Sequence, residues 1–156
     1  MTNGPTLEDA KQWLRDRIDD GARCPCCTQL AKVYKRRVHS TMARELITIY
    51  RASPECDWLY LPDVLRLRGA HGGDTVKATY WGLIEEDDDI REDGSSRTGW
   101  WRLTEAGRGF VLGEHKIPKY ARVYDGRLLG FEGEMATIRD ALGAKFDYDL
   151  LMKGQA

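Results

Sequence analysis

The chain has 156 residues, of which 42% are apolar, 10% aromatic and 31% charged, with a formal net charge of −1. That size suits one domain, or one domain with an appendage, and the composition excludes wholesale disorder. No apolar run reaches the roughly 18 residues of a membrane span, so no membrane partner is expected. Residues 1–5 hold no basic stretch followed by an apolar one, so no signal peptide is expected and the cysteines are assigned to a reducing cytoplasm. Metal binding or plain burial then outranks disulfides.

The near-neutral total hides a polarity. Residues 23–51 carry seven bases against the single acid Glu45, and residues 85–93 carry seven acids against Arg91. Such segregation suits oriented binding to a charged partner, or two solvated faces of opposite sign.

Thr6 is placed to cap a first helix bearing Leu7, Ala10, Trp13, Leu14 and Ile18, with Glu8 and Asp9 at the positive end of its dipole and Gly21 as the stop. Cys24-Pro25-Cys26-Cys27 is a tight turn, and residues 30–38 read as extended. Ser40 is the expected cap of a second helix ended by Ser53-Pro54. A short aromatic strand over residues 57–61 leads through Pro62 into a short helix over residues 63–68. After the turn at residues 69–73, Asp74 opens a third helix through Trp81, which runs out at Gly82 into a strand beginning at Leu83-Ile84. Residues 85–98, acidic and rich in glycine and serine, read as a loop. Trp100 to Leu103 return as a strand, and Thr104 caps a helix reaching Val111.

Helix, strand, helix, turn, helix, strand, long loop, strand and helix form the order of a helix-turn-helix followed by a two-stranded wing. Two words, Tyr80-Trp81-Gly82-Leu83-Ile84-Glu85 and Arg102-Leu103-Thr104-Glu105-Ala106-Gly107, resemble the recognition-helix end and the wing exit of winged-helix regulators, over residues 42–111. The whole chain is similar to an uncharacterised bacteriophage protein family. Cys24-Pro25-Cys26-Cys27, Tyr80-Trp81-Gly82-Leu83-Ile84 and Leu142-Gly143-Ala144-Lys145-Phe146-Asp147-Tyr148 carry that resemblance. It implies a setting and no activity.

Beyond Val111, residues 121–131 read as a hairpin with an Asp125-Gly126 turn, followed by a short helix over residues 137–142 and a helical stretch over residues 146–152. The expected fold class is therefore α+β. It comprises an N-terminal helix and Cys-rich knuckle (1–39), a winged helix-turn-helix core (40–111) and a small C-terminal hairpin-helix appendage packing on that core (112–156).

Cys24 and Cys27 have the Cys-Pro-x-Cys spacing of a zinc knuckle, in which proline and the short loop aim both thiolates at one tetrahedral ion. A closed site needs four ligands. Cys26, Cys56, His39, His71 and His115 are the available completions, and Cys56, just past the second helix, joins Cys24 and Cys27 as the expected metal set. Buried, reduced cysteines are the plainer reading. A dithiol redox motif fits poorly, because that spacing normally opens a helix in an alternating strand-helix fold.

Lys35, Arg36 and Arg37 suit phosphate contacts, with Tyr34 interleaved. The third helix would offer Thr75, Lys77 and Thr79 to a major groove. The acidic wing opposes a phosphate backbone and suits a basic protein surface instead. Of the consecutive Trp100 and Trp101, one must face outward. There is no phosphate-binding glycine loop, no nucleophile elbow and no catalytic constellation, so an enzyme is not expected. The expected function is nucleic-acid binding, with double-stranded DNA as partner, in a regulatory protein of phage type. The alternative is a protein-interaction module binding a host protein through its acidic wing. A metal or thiol enzyme is a third, weaker reading.

Overall fold

The structure is a computed structural model and describes residues 4–66, 74–88 and 99–154. It is an α+β protein with small antiparallel sheets, and its residues fall into two compact units. One unit joins Met1–Arg37 to Tyr120–Glu132, and the other joins Val38–Lys119 to Gly133–Ala156.

In the first unit, α1 (Leu7–Arg15) opens on a capping box in which Thr6 and Asp9 satisfy each other's backbone amides. The helix ends at Arg15 rather than continuing through Ile18. Ile18 instead uses its carbonyl to accept from the Val33 amide at 2.8 Å. Strands β1 (Ala22–Arg23) and β2 (Leu30–Ala31) pair antiparallel, so the four-cysteine chain turns back at residues 24–29. Of the stretch expected to be extended, β3 (Tyr34–Arg36) is the other regular part. It pairs with β7 (Ile117–Tyr124), which continues through the Asp125-Gly126 turn into β8 (Arg127–Ala136). Asp125 and Gly126 have φ of 48° and 73°, the left-handed pair a two-residue hairpin requires. Ala10, Ala31, Val33, Ala121 and Val123 are the buried apolar residues of this unit.

The second unit is organised on α2 (Ser40–Ala52), whose Met42, Ala43, Leu46, Ile47 and Ile49 are all buried. Burial on so much of its circumference marks a central helix. Ser40 is its first residue, and His39 takes the cap position without a side-chain bond. Strand β4 (Leu59–Tyr60) leads into α3 (Leu61–Val64), with Pro62 in the first turn as expected. The helix expected from Asp74 is a 3-10 helix, Thr75–Trp81. Gly82, at φ 69°, turns it into β5 (Ile84–Glu86). Strand β6 (Trp100–Leu103) lies between β4 and β5, pairing antiparallel with both. Strand β5 takes Glu85 and Glu86 out of the expected loop, because Glu85 lies opposite Arg102 and forms an ion pair with it.

Thr104 caps α4 (Glu105–Val111) through the Gly107 amide. Thr137 and Asp140 form a second capping box at α5 (Ile138–Leu142), and Asp147 caps α6 (Tyr148–Met152). Helices α4, α5 and α6 all pack on α2, burying Phe110, Val111, Ile138, Leu142 and Leu151. Trp81 closes the core with its indole N–H donating to the Pro118 carbonyl at 2.8 Å.

Candidate functional site

The residues expected to contact nucleic acid fall in both units. In the first, Tyr34, Lys35, Arg36 and Arg37 are exposed. Alternation along β3 sorts them. On one face the Arg36 guanidinium and the Lys32 ammonium lie 5.2 and 5.5 Å from the Tyr34 ring. On the other, Lys35 pairs with Glu132 at 2.9 Å and lies opposite Arg122, which pairs with Asp19. Glu132 holds the Lys35 ammonium above its ordinary range, so its positive charge is kept and partly neutralised. Arg122 and Glu132 carry no local sign of this role, since the cross-strand pairing brings them from far along the chain.

In the second unit the groove-facing trio is not one face. Thr75 is fully buried, at 0% exposure, and its hydroxyl has no hydrogen-bond partner among the described residues, so it cannot reach a groove. Lys77 is half-exposed and bonded to Asp74 at 3.0 Å, which keeps that carboxyl below its usual range. Thr79 is exposed, with its hydroxyl donating to the Val76 carbonyl at 2.9 Å. The cause is the helix type. A 3-10 helix repeats every three residues, so Thr75, Ala78 and Trp81 share the buried side.

The β5–β6 pair carries a second cluster. Arg102 lies 4.2 Å above the Trp58 ring while holding Glu85. Trp100 is the outward member of the tryptophan pair, 45% exposed, with its ring centroid 5.6 Å from that of Tyr60. His71, Asp89, Arg91, Glu92, Asp93 and Arg97 lie outside the described residues.

The cysteine turn is built on two backbone bonds and one from a side chain. The Cys24 amide donates to the Gln29 carbonyl at 2.8 Å, and the Thr28 amide donates to the Cys24 carbonyl at 2.9 Å. Thr28 adopts φ 65°, and Arg23 donates to the Thr28 carbonyl at 3.1 Å. Hydrogen bonds from the Cys27 and Cys26 amides, and smaller ones from the Cys27 and Cys26 thiols, hold the Cys24 thiol below its ordinary value. Cys24 and Cys27 line an open cleft of about 350 Å³, together with Leu30, Lys32, Tyr34 and Tyr124. Cys56 belongs to the other unit, where burial pushes its thiol up against the opposing effect of Arg108.

Among the described residues no group of three or more His, Cys, Asp or Glu is arranged to hold a metal ion. Two cysteines are half of what a closed structural site needs. Among the described residues, too, no helix is long and apolar enough to cross a membrane.

Compared with protein-family models, curated proteins and solved structures, the chain gives no match.

Proposed function

We propose that residues 38–119 are a winged-helix module and that the protein binds double-stranded DNA, as a regulatory protein of bacteriophage type acting in the cytoplasm. The observation that carries this reading is the sheet order β4-β6-β5 around the helical pair α3 and Thr75–Trp81. A strand before the helical pair and a two-stranded antiparallel pair after it, entered through Gly82, support a reading as a helix-turn-helix with a wing. Within this module Lys77 and Thr79 are the groups left to meet a duplex; in the other unit, taken by itself, Arg36 and Arg37 are exposed and suit phosphate contacts. Fold alone does not choose a ligand, so the reading stands on binding.

The test is a mobility-shift titration of a DNA duplex at two salt concentrations, with wild type and the K35A/R36A/R37A variant. The variant is expected to bind more weakly and to lose up to about 0.9 in salt slope for each phosphate contact removed. Absence of duplex binding by the wild type at low salt overturns the reading.

One observation favours a second reading, a protein-interaction module. Trp100 is exposed on the strand that faces the acidic residues of β5, and exposed tryptophans anchor protein interfaces. A basic protein, such as a host factor, is the partner this reading requires. Changing Asp87, Asp88 and Asp89 to Asn separates the two. Duplex binding is expected to hold or tighten, whereas capture of a basic protein would slow in its association rate.

A further inference from the structure

We propose that the Cys24–Cys27 turn is one half of a metal site that the same turn of a second copy of this chain completes, with a single zinc ion joining the two. The inference goes beyond the nucleic-acid reading and is tested without nucleic acid.

The turn has the form of a thiolate clip. Pro25 offers no amide, and the following amides of Cys26 and Cys27 both point at the Cys24 sulfur. Cys24 and Cys27 line the same cleft, whereas Cys26 is not part of its wall. Strand pairing at Ala22–Ala31 and Arg23–Leu30 fixes the base of the clip, so little ordering remains for a metal to impose. No helix begins at the turn, which sets it apart from dithiol oxidoreductases, whose first cysteine sits at a helix N-terminus.

Zinc takes four ligands in a closed site, and thiolates are its preferred partners there. One chain supplies two, and no further His, Cys, Asp or Glu among the described residues extends the set. In the proposed site the other pair comes from a second copy of the chain. The surroundings suit a second copy of the same surface. Cys26 and Cys27 are exposed, and Leu30, directly beside the clip on β2, is 54% exposed. The cleft at the two sulfurs is open and about 350 Å³, which admits an ion with two further thiolates. A two-fold arrangement lets one surface serve on both sides, so each clip provides two ligands and each Leu30 is covered.

The charges also balance. Each of the four thiols releases a proton on binding, zinc stays divalent, and the resulting site carries two negative charges. Arg23, held on the Thr28 carbonyl, and Lys32, lining the cleft, place two cations beside each clip. Cations and amide donors around the sulfurs offset their negative charge and so support a tetrathiolate centre.

The experiment uses the full chain, freed of metal under reducing conditions and titrated with zinc chloride while its mass is followed by light scattering. A parallel titration with cobalt(II) reads thiolate charge-transfer and tetrahedral d–d bands. The mass is expected to double at half an equivalent of zinc, the cobalt bands to saturate at the same ratio, and chelator to restore the monomer. Cys24→Ser and Cys27→Ser are expected to abolish both responses, while Cys26→Ser and Cys56→Ser keep them. Saturation at one equivalent in a monomer overturns the proposal, as does loss of metal in Cys56→Ser, dimerisation without metal, or no metal uptake. The stoichiometry of the unaltered chain decides the matter even where a serine variant unfolds.

Discussion

Glu45 stands on the central helix, where burial raises its carboxyl above the ordinary value of 4.5; Arg44 opposes the shift and Asp74 adds to it. A raised carboxyl favours the protonated form in the folded state. The stability it contributes is therefore complete below the unfolded value and is lost as pH rises through the folded one. Glu45→Gln, neutral at every pH, is expected to melt higher than wild type at neutral pH. The difference should close below about pH 4, where the unfolded carboxyl is also protonated. Thermal melts at the two pH values check this, and a gap that grows on acidification contradicts it. Thr75 marks the limit of what its neighbourhood in sequence reveals. Asp74 and Gly82 delimit the helix correctly, yet its facing depends on whether the repeat is 3.6 or three residues. That choice is made by the packing of Ala78 and Trp81, which no local propensity encodes.

At the level of elements, α4 is held so close to the backbone at Leu83, just ahead of β5, that a side chain at Gly107 has no room. A methyl group there would collide with the Leu83 carbonyl and press on the Leu103 side chain. Helix propensity favours alanine over glycine by roughly 0.5–1 kcal/mol. The collision is with backbone and outweighs it. Gly107→Ala is expected to lower stability by about 1–3 kcal/mol, as overpacking does, in a urea titration. A variant as stable as wild type would show that α4 can shift. The caps at Thr6, Thr104 and Thr137, and the Asp125-Gly126 turn, are legible in the sequence because each acts within four residues. The pairing of β3 with β7 is not. Tyr34 and Val123 meet across the length of another unit, and the alternation of Val33, Tyr34, Lys35 and Arg36 names no partner strand. The cleft beside the cysteines is hidden for the same reason, since Tyr124 and Asp125 reach it only through that pairing. The two-cysteine spacing itself is plain in the sequence, whereas the separation of Cys56 into the other unit emerges only from the fold.

Across the whole molecule, neither unit is continuous in the chain. Ending the chain after Lys119 would take most of β7 and the first part of β8, through Glu132, from the first unit and would remove Ile138, Leu142 and Leu151 from the core of the second. Such a truncation is expected to weaken both units together. Amide exchange should show protection lost at Val33–Arg36 and along α2 alike. Undiminished protection of α2 would mean that α5 and α6 add little to its stability.

The interleaved connectivity has a bearing on synthesis. A ribosome delivers β3 early, as a short edge of basic residues, and delivers its partner only after the whole of α2 to α4 has emerged. Until then the strand shows unpaired amides and carbonyls, the kind of edge that seeds association between chains. Its three consecutive cations, Lys35, Arg36 and Arg37, repel a second copy of the same strand during that interval. Consecutive charges on such an edge are the feature by which strands resist edge-to-edge pairing.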